Sequence, residues 1–172
     1  MGFFQKLFKR NANTIIYSPA TGDVIPTSQV KDETFSQNMI GRGFAVMPKS
    51  GEFLSPMNGE VTLVAETGHA FSIKNKRGIE VLVHIGLDTV NINSKNAPGQ
   101  PLKGFTTHVK VGDNVKVGEP IITADLALIK KLGFDPVTPV IVITNEQSTN
   151  KEVNTLVTGA DIAAKTAILE VK

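Results

Sequence analysis

The chain has 172 residues, with 18 Lys and Arg against 16 Asp and Glu for a net charge of +2, a balance that argues against a dedicated nucleic-acid surface. Cysteine is absent, which removes disulfide frameworks, thiolate metal sites and cysteine nucleophiles and is compatible with a reducing cytoplasm. The length suits one domain with a sizeable core, and no apolar run approaches the roughly 18 residues that span a bilayer, so a soluble protein is expected.

Residues 1–13 stand apart as a tail and linker, and residues 14–172 read as the folded domain. Within the tail, Phe3, Phe4, Leu7 and Phe8 fall at helical spacing on one side and Lys6, Lys9 and Arg10 on the other. This pattern fits a short interfacial helix making weak membrane contact through residues 1–10, and equally a tail whose phenylalanines cap the core. From Thr14 onward, short β-rich runs alternate with Gly, Pro, Asn and Asp: TIIYS (14–18), GDVIPT (22–27), GFAVMP (43–48), GEVTLVA (59–65), runs at 69–74 and 79–84, FTTHVKV (105–111), EPIITAD (119–125), PVIVIT (139–144) and TAILEV (166–171). Only 126–132, ahead of Gly133, and a turn or two at 35–40 suggest helix. The expected fold is therefore all-β, an antiparallel sandwich or barrel of jelly-roll or Greek-key type with one or two very short helices.

VKVGDNVKVGEPI (109–121) alternates apolar residues around Gly-Asp and Gly-Glu corners, where each glycine permits a positive φ. Biotinyl and lipoyl carrier domains share such grammar and place a lysine at a hairpin tip, but Asn75 and Arg77 do not resemble the flanks of a modified lysine, so Lys76 reads as an exposed turn residue. His108, isolated in an alternating run, reads as a surface residue.

The most informative segment is HAFSIKNKRGIEVLVH (69–84), two strands joined by a turn at 75–78. A two-residue loop pairs Asn75 with Gly78 and a four-residue loop pairs Lys74 with Ile79. Either register sets His69 directly opposite His84, with Cβ atoms about 5 Å apart. His69, Phe71, Leu82 and His84 would then share one face. Two imidazoles this close depress one another's pKa and titrate as a unit, so at neutral pH at least one nitrogen lone pair is free. Such a nitrogen can act as a base, bind a metal or attack an electrophile such as phosphorus.

TGHAFSI (67–73) and VLVHIGLDTV (81–90) closely resemble the two active-site motifs of the glucose-type enzyme IIA family of the bacterial phosphoenolpyruvate-dependent sugar phosphotransferase system. IGRGFAVMP (40–48), PMNGE (56–60), the Val-Gly-Asp segment and TPVIV (138–142) extend the resemblance over nearly everything after residue 14. The resemblance implies that His84 is the phosphorylated nucleophile, accepting the group from phospho-HPr and passing it to a cysteine of an enzyme IIB carried on another chain. It implies that His69 stabilises the phosphoryl group, that the Thr67 hydroxyl supports His69, and that the Gly86 carbonyl orients the His84 ring. Asp32 and Asp88 match acidic residues at the rim, where Phe35, Phe71, Leu82 and Val90 would exclude water and meet partners; Thr34 and Ala65 stand where relatives often carry a larger apolar residue. No cofactor is required. The resemblance also allows regulatory binding to permeases, glycerol kinase or adenylate cyclase, a cytoplasmic monomer at or near the inner face of the membrane, and zinc held by His69 and His84 only at a partner interface.

Two rival classes stand beside this one. A zinc hydrolase would use His69, His84 and Asp88 as three ligands with an open position, although the His-x-His pair of peptidoglycan metallopeptidases is absent. A binding module would use the histidines merely to tune contacts.

Overall fold

Apolar alternation with β-branched residues makes strands of most of the runs above, and a computed structural model describes residues 13–172 of the chain. Fourteen strands occur among the described residues: β1 Thr14–Tyr17, β2 Gly22–Pro26, β3 Gly41–Pro48, β4 Glu52–Leu54, β5 Gly59–Val64, β6 Ala70–Lys74, β7 Glu80–His84, β8 Phe105–Thr107, β9 Asn114–Val115, β10 Pro120–Ala124, β11 Thr138–Ile143, β12 Val153–Thr155, β13 Gly159–Ile162 and β14 Ala167–Val171. The helices are short: α1 Glu33–Ser36 and α2 Leu126–Lys131, with 3-10 turns at Thr27–Gln29 and Thr89–Asn91. Asp32 and Asp125 cap α1 and α2, their carboxylates accepting from the backbone N–H groups of Thr34 and Leu128. The amphipathic pattern at residues 1–10 lies outside the described residues.

Eight strands form one sheet in the order β13-β2-β3-β11-β7-β6-β5-β9, and two three-stranded sheets, β1-β14-β12 and β4-β10-β8, complete the set. The pairings are antiparallel. All three sheets feed one core: Phe44, Phe71, Ile73, Val81, Val83 and Val140 from the large sheet meet Ile16, Phe53, Ile121, Ile122, Ile168 and Leu169 from the small ones. Each such side chain contributes about 1.5–3 kcal/mol of burial.

The opposite face of the large sheet carries a second, smaller cluster. Ala45 and Ile141 lie there under Val30, Phe35, Leu87 and Val137, supplied by the end of the Thr27–Gln29 turn, by α1 and by the loops after β7 and before β11. β11 reaches this place by inserting between β3 and β7 although it is far from both in sequence. That insertion sets the end of β7, and with it His84, beside α1.

The hairpin register differs from the expected one. Ala70, not His69, is the direct partner of His84, and Phe71 pairs with Val83, Ser72 with Leu82 and Lys74 with Glu80. The turn is the reason. Asn75 N–H donates to the Ile79 carbonyl and Gly78 N–H to the Asn75 carbonyl, enclosing a three-residue loop with Gly78 at φ +81°, where the sequence suggests two residues or four. The Asn75 side chain reinforces this choice by accepting from the N–H groups of Arg77 and Ile79. A one-residue slip inverts every side chain. Phe71 therefore points into the core with no exposed surface, while Leu82 lies on the face of His84 and is half-buried.

Candidate functional site

His84 closes β7 on the outer face of the large sheet, and its ring is fixed from three sides. Its Nδ1 donates to the Gly86 carbonyl at 2.8 Å. The Phe35 ring lies 5.3 Å away centroid to centroid, tilted by 53°. His69 stands edge-on, with ring centroids 5.0 Å apart and planes at 75°.

His69 reaches this position without being the cross-strand partner of His84. It precedes β6 rather than lying in it, after a turn closed by Gly68 N–H donating to the Ala65 carbonyl. Gly68 adopts φ +77° and is pressed against Phe105, so close that a Cβ would stand 2.8 Å from the Phe105 Cβ. Only glycine satisfies both demands. The turn releases the His69 side chain from strict alternation, while its carbonyl still accepts from Ile85 N–H at 2.7 Å. The Thr67 hydroxyl pairs with His69 Nδ1. Each histidine is thus tied through Nδ1, leaving the two Nε2 atoms for chemistry.

Both rings are held neutral. Burial and then the nearby His84 push the His69 imidazole from 6.5 down to about 4. His84 is lowered as well, chiefly by burial, against the opposing pull of the Gly86 hydrogen bond and the negative charges of Asp32 and Asp88. At neutral pH the pair therefore offers unprotonated nitrogen.

The remaining expected residues divide by position. Asp32 is half-buried and caps α1, Asp88 is exposed at φ +58°, and Val90 is 49% exposed. Phe35, only 4% exposed, is a wall for the His84 ring rather than a docking surface. Phe71 presents no surface to a partner at all, because the register turns it inward. Thr34 and Ala65 are each half-buried. Among the described residues no group of three or more His, Cys, Asp or Glu could hold a metal, so the triad His69, His84 and Asp88 is not assembled and the zinc-hydrolase reading falls. His108 is exposed, and its ring pairs with the Thr123 hydroxyl at 2.7 Å. Lys76 is exposed in its turn, as expected.

Outside the expected set, Met39 is a large apolar side chain 67% exposed just beyond α1. The available signal was Asn38, a residue type that tolerates the left-handed conformation ending a helix and that adopts it here, at φ +53°.

An all-β frame that holds two neutral, part-buried imidazoles edge to plane, each oriented through Nδ1, defines a histidine-centred group carrier. The profile of the family described as phosphoenolpyruvate-dependent sugar phosphotransferase system, EIIA 1 matches residues 14–148. The PTS system glucose-specific EIIA component of Oceanobacillus iheyensis is 41% identical, with 98% of this chain and 98% of that one covered. The PTS system beta-glucoside-specific EIIBCA component of Bacillus subtilis is 42% identical over 85% of this chain, which spans 23% of that protein's length. The solved structure of glucose permease IIA from Mycoplasma capricolum shares the fold with a TM-score of 0.79 at 32% identity, covering 100% of both chains. The chain belongs to this EIIA family and is a phosphocarrier, a transferase component of the sugar phosphotransferase system. Among the described residues no helix is long and apolar enough to cross a membrane.

Proposed function

We propose that His84 accepts a phosphoryl group on Nε2 from phospho-HPr and passes it to a cysteine of an enzyme IIB during coupled sugar uptake and phosphorylation. The observation that carries this reading is the Nδ1 hydrogen bond to the Gly86 carbonyl. It places the single proton of the neutral ring on Nδ1, so the lone pair resides on Nε2. As the Nε2–P bond forms, the bond from phosphorus to the donor breaks; onward transfer exchanges the Nε2–P bond for an S–P bond on the acceptor. The acceptor sulfur comes from outside these residues, which contain no cysteine.

His69 is the stabiliser. With the Thr67 hydroxyl donating to its Nδ1, the proton of His69 sits on Nε2, and that N–H is available to an equatorial phosphoryl oxygen. A neutral donor suits a group that must also leave, since it steadies charge in the transfer state without trapping the product as an ion pair would. Asp32 and Asp88 add negative charge beside His84, which favours basic partner surfaces and discourages accumulation of phosphate. Leu82, Val90 and the Phe35 wall limit water around the phosphohistidine.

The reading places the protein in the cytoplasm as a monomer, with permeases, glycerol kinase and adenylate cyclase as regulatory partners of the unphosphorylated form. Residues 1–10 would supply weak contact with the inner face of the membrane. Zinc enters only where a partner carboxylate completes a site with His69 and His84; none is needed for transfer.

Radioactive phosphoenolpyruvate with enzyme I and HPr tests the central claim. One acid-labile, alkali-stable phosphate per chain is expected, and His84→Gln abolishes it. Undiminished labelling of that variant would overturn the assignment.

A further inference from the structure

Gly86 matters through its carbonyl, and that carbonyl has to be held. The segment that presents it, 85–89, is bent through two left-handed residues, Gly86 at φ +77° and Asp88 at φ +58°. The second is not glycine, so the backbone pays a conformational cost there on the order of 1 kcal/mol or more. A conformation of this kind persists only where its surroundings over-determine it.

Three ties do so. Ile85 N–H donates to the His69 carbonyl at 2.7 Å, and Leu87 N–H donates to the Asp135 carbonyl at 2.9 Å. The third comes from Thr89, a fully buried hydroxyl that donates to the Ile85 carbonyl. Thr89 also fills the space beside Gly86: a Cβ on Gly86 would stand 2.5 Å from the Thr89 Cγ2. Ile85 is therefore gripped at both backbone polar groups, its N–H by the carbonyl of His69 just ahead of β6 and its carbonyl by the Thr89 hydroxyl.

We propose that Thr89 is a positioning residue for phosphoryl transfer: its hydroxyl and methyl hold the 85–89 turn so that the Gly86 carbonyl keeps the His84 proton on Nδ1 and the nucleophilic lone pair on Nε2. The Thr89 hydroxyl bonds neither ring. It acts through Ile85 and Gly86, and its loss is felt as a change of His84 tautomer and orientation. The inference rests on the reading of His84 as the phosphorylated residue for its kinetic consequence. Its structural consequence is independent of that reading.

Thr89→Val keeps shape and removes the donor; Thr89→Ser keeps the donor. Nitrogen-15 NMR of the unphosphorylated full chain reads the His84 tautomer directly. In the wild type and Thr89→Ser the Nδ1-protonated form dominates, and in Thr89→Val the Nε2-protonated form gains population. Phosphoryl acceptance from phospho-HPr then falls roughly ten-fold in Thr89→Val and recovers in Thr89→Ser. A folded Thr89→Val with wild-type tautomer and wild-type rate overturns the inference. Should Thr89→Val fail to fold, Thr89→Cys takes its place, since a thiol is a weak donor. A graded tautomer shift in Cys relative to Ser supports the proposal, and identical spectra overturn it. Failure of the His84 assignment is distinguishable, because the tautomer shift would then appear while labelling of His84 was absent from the wild type.

Discussion

His69 and His84 face each other edge to plane at 5.0 Å although they are not cross-strand partners. The regular partner of His84 is Ala70, a side chain too small to fill the space above it. The His69 ring occupies that neighbourhood from just outside the strand, which makes its placement depend on the Gly68 turn and not on the ladder.

That dependence predicts the effect of Gly68→Ala. The new methyl meets Phe105 at 2.8 Å and must adopt φ +77°. A loss of about 1–3 kcal/mol in denaturant unfolding is expected. Onward phosphoryl transfer should fall more than acceptance, because His69 is displaced while the Gly86 bond to His84 is intact. Wild-type transfer in both directions would contradict this account of how His69 is aimed.

Thr67→Val isolates the tautomer of His69. Without the hydroxyl on Nδ1, the His69 proton is free to settle on either nitrogen. Acceptance onto His84 should stay within about two-fold while transfer to the IIB cysteine slows by roughly ten-fold. Thr67→Ser should restore it, as measured by chase of labelled protein with an acceptor IIB.

Stability should depend on pH through the histidines. Both rings have folded pKa values below the unfolded value near 6.5, and His69 lies at about 4. Between these limits the unfolded chain binds more protons, so stability is full above about pH 6.5 and declines as pH falls toward 4. For the half-buried His69 the contribution, discounted for solvent screening, is on the order of 1 kcal/mol. Urea unfolding at pH 7 and pH 4.5 should show a smaller difference for His69→Gln than for the wild type; an unchanged difference would refute the assignment.

Phe71 and Val90 provide a contrast between core and surface. Phe71→Ala should cost about 3–5 kcal/mol of stability. Val90, 49% exposed, should cost less than about 0.5 kcal/mol on conversion to Ala while raising the apparent KM for phospho-HPr. Phosphorylation kinetics and thermal melts on the same samples separate the two.

Much of the frame was legible in the chain. Alternating β-branched runs marked β1, β2, β3, β5, β7, β10, β11 and β14 to within a residue or two, and the helix expected at 126–132 ahead of Gly133 is α2. The corners at Gly112 and Gly118 have the positive φ that the Gly-Asp and Gly-Glu pairs announced. β4, β9, β12 and β13 escaped notice because segments of two to four residues carry too little alternation to register and owe their form to neighbours that supply the hydrogen bonds. FTTHVKV yielded only β8: His108 N–H still bonds the Ile121 carbonyl of β10, and beyond it the chain runs to the Gly112 corner.

The sequence by itself singled out His69 and His84 as the pair on which the proposed chemistry rests, because the two histidine motifs are local and can be read without the fold. It also determined the all-β frame, through a period-two pattern that needs no tertiary information. Only the tertiary structure decided which face each histidine-strand residue occupies. A three-residue loop and a two- or four-residue loop differ by one position of register, and the choice rests on a positive φ at Gly78 and the Asn75 side-chain bonds rather than on hydrophobicity. The same holds for the wall and the holding ties of the site. Phe35 and Thr89 come to His84 and Gly86 through packing and through hydrogen bonds made by a bent backbone, and spacing along a chain does not encode such contacts.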